Sequence, residues 1–321
     1  MTQNNGHCNL HKGVSVVVAS HRKNNVPDLI HSLQKAAEKV DFPTQIIVVA
    51  DYPTDEIKQE RSSVTWIFVD DKSISRKRNC GVKNAQYEII AFVDDDCKVD
   101  AHWLHRGYTF LTEMRKYCGV EGKTTIETDS AAPAMINQYK RLEKPGYRTN
   151  NIFYRKSNFL SVGGFDERFT VQREDLDLAF SLLENGEKIA FDSRIKVTHR
   201  FRKGEWWDLL KNCSNRRFDP LLYRKHKVRF RAQVGSPFSG SLLVLLVAHV
   251  AAIASLWGVA AHYFILADLF LVSVLTMRRA GRAALHLGYF IKEWVAVFAA
   301  PFVITSALLY GSFKYRMFLF L

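Results

Sequence analysis

The apolar run Glu88-Ile89-Ile90-Ala91-Phe92-Val93 ends in three consecutive aspartates, Asp94, Asp95 and Asp96. A bounded, β-rich apolar run of this length reads as a buried strand. In an open α/β sheet the carboxyl ends of strands face the ligand crevice, so these acids are expected to project toward a ligand. Adjacent carboxylates repel, and a hard divalent cation with oxygen ligands, Mg2+ or Mn2+, relieves that repulsion. The pattern predicts a metal-bound diphosphate site at a strand end, against the plainer alternative of an acidic turn.

The preceding residues support an α/β reading. Residues 14–20 and 45–50 are continuous apolar, β-branched runs, the pattern of parallel strands covered on both faces. Between them Leu29, Ile30, Leu33, Ala36, Ala37 and Val40 recur at helical spacing behind Pro27-Asp28, a start signal. The opening is thus β-α-β with a right-handed crossover. Residues 65–69 form a third strand. Residues 75–86 form a helix with Arg76, Lys77, Arg78 and Asn79 near its start, which suits a phosphate through dipole and side chains, or is simply a solvated face. No GxGxxG follows the first strand, so the domain is expected to bind a nucleotide in some way other than the dinucleotide-binding one.

Beyond Asp100 the spacing predicts a helix over 103–117, a strand over 119–125, a mobile polar loop over 128–151 covering an acceptor site, and a strand over 150–155. A glycine-rich turn at Gly163-Gly164 precedes a helix opening at Glu174-Asp175-Leu176-Asp177. Its three first-turn acids are either favourable charge at a helix N-terminus or a general base within reach of the metal site.

The net charge of +13 calls for a negative partner or surface. Basic residues crowd positions 200–231, and residues 241–277 then carry only His249, His262 and Asp268 as ionisable groups. That apolar stretch is nearly twice the roughly 20 residues needed to cross a bilayer, so a membrane partner is expected and nucleic acid is not. It reads as a hairpin turning near 258–262 and returning to the cytoplasm at Arg278. A third segment, 294–310, is interrupted by Pro301 and is compatible with a spanning, re-entrant or interfacial placement. Trp206 and Trp207 suit headgroup depth. The five cysteines are scattered and the first 13 residues hold no apolar signal, which points to reduced thiols in a cytosolic catalytic part. His7, Cys8 and His11 read as part of a short disordered tail and not as a metal cluster. The expected division is a tail at 1–12, an α/β domain at 13–235 whose 200–235 part is interfacial, and a membrane region of two to three helices at 236–321.

Taken in order, these motifs resemble the family-2 glycosyltransferases of the GT-A fold, in their membrane-anchored bacterial form, over roughly residues 13–226. The resemblance implies a mainly parallel central sheet followed by C-terminal transmembrane helices. Ala19, Ser20, His21 and Asp51 match the strand ends that hold the nucleoside, with Asp51 on the base. Arg78 and Asn79 match the "RN.G" segment beside the diphosphate. Asp94 and Asp96 match the metal-binding DxD motif, with Asp95 counted among the donor-binding residues. Asn151 and Gly163-Gly164-Phe165-Asp166 resemble the acceptor-side "GGFD" region, and Glu174-Asp175 the "ED" pair that supplies the base.

Two departures matter. Processive synthases of the family carry Q-x-x-R-W before their membrane helices, and here Ser214-Asn215-Arg216-Arg217-Phe218 stands there, which favours transfer of one sugar. The second nucleoside strand ends in Asp51-Tyr52-Pro53-Thr54-Asp55 in place of two acids and a small-residue turn, which loosens the expectation for the donor base. The implied reaction is inverting transfer from a UDP- or GDP-sugar to a hydroxyl of a lipid-linked or glycan acceptor, with Mg2+ or Mn2+, Asp175 as base and Glu174 positioning or tuning it. The implied location is the inner membrane, multi-pass, with the catalytic domain on the cytoplasmic side. A polyprenyl-phosphate acceptor is the alternative, although an ionised phosphate needs no base. A nucleotide-sugar pyrophosphorylase would need a glycine-rich basic loop that residues 14–22 lack, and a non-catalytic membrane sugar-binding protein would not need the intact acids.

Overall fold

The computed structural model describes residues 11–53, 63–127, 140–201 and 205–318. The expected tail up to residue 10, Asp55, and the part of the expected mobile loop at 128–139 lie outside them. Two compact units divide the chain: Met1–Glu127 with Leu142–Arg200, and Thr128–Arg141 with Phe201–Leu321.

In the first unit the β-branched runs form β1 (His11–Ser20), β2 (Thr44–Ala50) and β3 (Val64–Phe68). Helix α1 (Val26–Ala37) joins β1 to β2, and α2 (Ile74–Lys83) leads from β3 into β4 (Tyr87–Val93). Then follow β5 (Cys97–Val99), α3 (Trp103–Glu113), β6 (Gly119–Ile126), β7 (Asn151–Arg155), α4 (Lys156–Ser161), α5 (Glu174–Glu184) and β8 (Ile189–His199). All eight strands join one sheet in the order β3-β2-β1-β4-β7-β6-β8-β5. Its β3-β2-β1-β4 half is parallel, and β6 pairs parallel with β8. The β4–β7, β7–β6 and β8–β5 pairs are antiparallel, so the sheet is mixed around a parallel core.

Strand alternation splits the apolar runs between two cores. Val16, Val18, Ile46, Val48, Ala91 and Val93 pack under α1 and α3 with Leu29, Ile30, Leu33, Trp103 and Leu104. Val17, Ile47, Val49, Ile90 and Phe92 face the other way, against Val82, Phe159, Phe165, Leu178 and Leu182 of the α2, α4 and α5 side. Only glycine fits at position 81, because a Cβ there would collide with the Val17 side chain, and this close approach seats α2 on β1.

Part of the expected mobile loop is tied to the sheet. The buried carboxylate of Glu121 accepts backbone N–H bonds from Gly146, Tyr147 and Arg148 at 2.8–3.1 Å. An acid on β6 thus organises residues 146–148, which the polar composition of the segment did not suggest.

The second unit contains α6 (Asp208–Asn215), α7 (Asp219–Lys225), α8 (Lys227–Gln233), α9 (Gly240–Ser255), α10 (Ala261–Ala280) and α11 (Leu287–Tyr315). The expected hairpin is α9–α10, and its turn falls at 256–260. Pro301 lies inside α11, which runs on through it. By length and composition α10 and α11 are able to cross a membrane, and α9 is apolar but shorter.

Candidate active site

Four strand ends and two helix starts build the site. Asp95 sits just past β4, buried, and its Oδ2 accepts bonds from the Ser20 hydroxyl (3.0 Å), the His21 N–H (3.0 Å) and the Arg22 N–H (3.2 Å). The middle aspartate therefore does not project toward a ligand as the triplet suggested. Its carboxylate is the fastener that holds the end of β1 against the end of β4, and burial raises its pKa despite those bonds.

Its neighbours alternate away from it. Asp96 Oδ1 lies 3.1 Å from His199 Nε2, and its Oδ2 accepts from Arg22 Nη1 at 2.7 Å. Burial works against the charge of Asp96, but His199 and Arg22 prevail and hold its pKa down to about 2. Asp94 accepts from Arg78 Nη2 at 2.9 Å, and its charge is felt at both His199 and Arg22.

His199 ends β8 and was not foreseen. Its Nδ1 donates to the Arg200 carbonyl at 2.8 Å and its Nε2 to Asp96 Oδ1 at 3.1 Å; burial opposes the charge of the ring, but Asp96 prevails and raises its pKa. Asp96, Cys97 and His199 bring their ligand atoms within 4.8 Å of one another. Of these, Cys97 belongs to the apolar core, where burial keeps its thiol well above the ordinary value and therefore protonated. A carboxylate and an imidazole fit a hard-to-borderline divalent ion, and a protonated core thiol does not. Asp96 and His199 are the members of this cluster that suit Mg2+ or Mn2+, while Asp94, the other expected ligand, is outside it and accepts from Arg78.

Arg78 is the central cation. It is buried, donates through Nη2 to Asp94 and through Nη1 to Glu174 Oε1 at 2.8 Å, and lies over the Phe165 ring at 5.6 Å. Burial alone would weaken its charge, but Asp94 and Glu174 more than compensate and raise its pKa. Glu174 Oε2 is buried and receives no hydrogen bond from any described residue. Asp175 follows, its Oδ1 accepting the Leu176 N–H at 2.7 Å. Burial, and then the Glu174 charge, push the Asp175 carboxyl up to about 7. Arg173, immediately before this pair, has φ of 79°, a left-handed backbone uncommon outside glycine that turns the chain into α5.

At the other end of the cleft Asp51, just past β2, has Oδ2 at 2.6 Å from His21 Nδ1 and 3.3 Å from Lys77 Nζ. Burial opposes its charge, but the His21 hydrogen bond and the Lys77 charge lower its pKa. Lys77 is fully buried, donates to the Ser20 carbonyl at 2.8 Å, and loses basicity to that burial. The basic helix start therefore divides three ways: Lys77 serves Asp51, Arg78 links Asp94 to Glu174, and exposed Arg76 pairs with Asp71 and Glu167. Ala19 is buried below this cluster.

Asn79 binds the Phe165 backbone in both directions, its Nδ2 donating to the carbonyl at 2.8 Å and its Oδ1 accepting the N–H at 3.0 Å. It fastens α2 to the turn in which Gly163 and Gly164 take positive φ of 85° and 72°. Asn151 corrects the motif-based expectation of an acceptor contact. It is fully buried, accepts from Trp103 Nε1 at 2.8 Å and donates to the carbonyls of Lys123 and Ile195, so it closes a core network.

Residues 15–168 match the model of glycosyl transferase family 2, a span that runs from β1 through the turn at Gly163-Gly164. Glu174, Asp175 and His199 lie beyond it. No curated relative matches the chain.

Proposed function

From the premise that this chain is a glycosyltransferase carrying a family 2 domain at residues 15–168, we propose that it transfers a single sugar, with inversion, from a UDP- or GDP-sugar to a hydroxyl of a lipid-linked or glycan acceptor. The observation that carries this reading is the buried Arg78 bridge, which ties the donor-side acid Asp94 to the base-side acid Glu174 through one guanidinium.

On this reading the nucleoside lies against the β1 and β2 ends, near Ser20, His21 and Asp51. Lys77 fixes the position and charge of Asp51 from beneath. Asp94, Asp96 and His199 would hold Mg2+ or Mn2+, and such an ion supplies charge neutralisation at the departing diphosphate. Asp175, whose raised pKa sets it near neutral pH, takes the proton of the attacking hydroxyl as the bond to the anomeric carbon forms. Glu174 keeps Asp175 basic through its like charge. A base is superfluous for a polyprenyl phosphate, so the tuned Asp175 favours the hydroxyl acceptor over that alternative. The apolar helices of the second unit favour an acceptor carried on lipid and a location at the inner membrane, with the catalytic domain on the cytoplasmic side.

The test is nucleotide release by the purified chain from a panel of nucleotide sugars with Mn2+, Mg2+ or EDTA. Release from one donor class, stopped by EDTA and by Asp96→Ala, is expected. Absence of both release and metal-dependent donor binding across the panel would overturn the reading.

A further inference from the structure

The second unit carries apolar side chains on its outside that water does not tolerate. In the α9–α10 hairpin Val247, Val250, Ile253, Phe264, Leu266 and Phe270 are each roughly half exposed or more, and Trp257 and Val259 at the turn are 97% and 99% exposed. No charged residue lies between Gly240 and Asp268, whereas both feet of the hairpin are basic: Arg229 and Arg231 precede α9, and Arg278 and Arg279 close α10. The arms and the turn are therefore apolar and uncharged, and the charges gather at one end.

Of the two arms, α10 with 20 residues is long enough to cross, but its partner α9 is not. At 1.5 Å per residue the 16 residues of α9 rise about 24 Å, short of the roughly 30 Å hydrocarbon core. The pair His249–Asp268 is no obstacle to immersion. Asp268 lies 2.7 Å from His249 Nδ1, and His249 Nε2 lies 3.0 Å from the Phe298 carbonyl, so the polar atoms are turned inward and α9, α10 and α11 are fastened together.

Helix α11, though 29 residues long, is held at the basic end. Its Glu293 pairs with Arg279 at 3.0 Å. Ala300, Ile304 and Leu308 pack on Cys213 of α6. Position 311 must be glycine, since a Cβ there would run into the Arg217 backbone, and the Tyr315 carbonyl accepts from Arg224 Nη1 at 2.8 Å. The partners α6 and α7 expose Lys211, Arg224 and Lys225. If α11 crossed, these charges would follow it into hydrocarbon, which is strongly disfavoured. The part not covered by them, residues 287–299, rises only about 20 Å. Along its open face Leu287, Ile291, Val295, Phe302, Leu309 and Phe313 form a continuous apolar stripe, with Lys292 and Lys314 exposed near its two ends. With its opposite face packed on the rest of the unit, this stripe is the surface that α11 offers to a bilayer boundary.

We propose that the second unit is a one-sided membrane anchor: the α9–α10 hairpin dips into a bilayer with anionic headgroups and returns to the same face, while α11 lies flat at headgroup depth. The hairpin suggested by hydropathy is retained, but neither it nor α11 passes through. This inference does not depend on which sugar is moved.

Cysteine accessibility tests it in the full chain with Cys8 and Cys80 replaced by Ser, using Lys225→Cys, Trp257→Cys, Val259→Cys, Lys292→Cys and Lys314→Cys one at a time in sealed anionic phospholipid vesicles. With a membrane-impermeant maleimide outside, Lys292→Cys and Lys314→Cys should be labelled to the same fraction as Lys225→Cys. With reagent on both sides, Trp257→Cys and Val259→Cys should react at less than about a tenth of the Lys225→Cys rate until detergent is added. Labelling of either turn position before detergent, or complementary fractions for Lys292→Cys and Lys314→Cys, would overturn the proposal. So would release of the chain from vesicles by an alkaline wash.

Discussion

Arg78 and Glu174 are 96 positions apart in sequence and 2.8 Å apart in space, joined by a buried charge-assisted hydrogen bond. The same guanidinium holds Asp94, so one side chain sets the distance between the acid at the end of β4 and the acids that open α5. Removing the cation strands two carboxylates, one of them buried. Arg78→Met is expected to lower stability by about 3–5 kcal/mol, whereas Arg78→Lys keeps the charge but not the two-pronged geometry. Thermal unfolding and nucleotide release together check this: Arg78→Lys should lose most activity while remaining folded.

The Asp175 carboxyl, raised to about 7, predicts that kcat/KM climbs with pH through that value and levels above it, because the base works only when ionised. The stability effect has the opposite sign. A folded-state pKa above the unfolded one means that this group favours folding at low pH and that the benefit is lost as pH rises through about 7. Asp175→Asn should therefore raise the melting temperature relative to wild type more at pH 8 than at pH 5, a comparison that differential scanning fluorimetry makes directly.

His199 is expected to behave as part of the metal site. His199→Ala removes a nitrogen donor and frees Asp96 from its partner at 3.1 Å. The Mn2+ concentration needed for half-maximal nucleotide release should rise by about tenfold or more, with donor KM at saturating metal much less affected. A metal titration of the variant with unchanged midpoint would remove His199 from the donor set.

Asn151→Ala tests the reassignment of that residue to the core. The substitution leaves the buried Trp103 Nε1 and two strand carbonyls without their partner, at about 1–3 kcal/mol. Loss of melting temperature with KM for an acceptor unchanged is the expected pattern, and a rise in acceptor KM at unchanged stability would return Asn151 to the acceptor side.

Where the sequence was informative, the reason is burial on both faces. Val14 to Ser20 and Glu88 to Val93 are unbroken apolar runs because parallel central strands meet helices above and below, and such runs announce themselves. Strand β8 lies nearer the sheet's far edge, between β6 and three-residue β5, and exposes one face. Its pattern Ile195-Lys196-Val197-Thr198-His199 alternates and is easily passed over, and His199 was missed with it. The alternation, ending in a histidine, was the available signal. Lys77 was legible as basic but not as buried, since nothing in four polar residues at a helix start says which of them turns beneath the end of β1. Asp95 shows the limit of reading a triplet as a unit: successive side chains point in different directions, so of three adjacent acids the middle one became a backbone fastener.

The central claim, that Asp175 deprotonates the acceptor, is tested most directly by comparing wild type with Asp175→Asn for donor affinity and for transfer turnover with the identified donor at pH 8. A positioned base contributes about 10²–10⁴-fold, so donor affinity should stay within about twofold while turnover falls by at least a hundredfold. Turnover within a few-fold of wild type would contradict the assignment of Asp175 as the base.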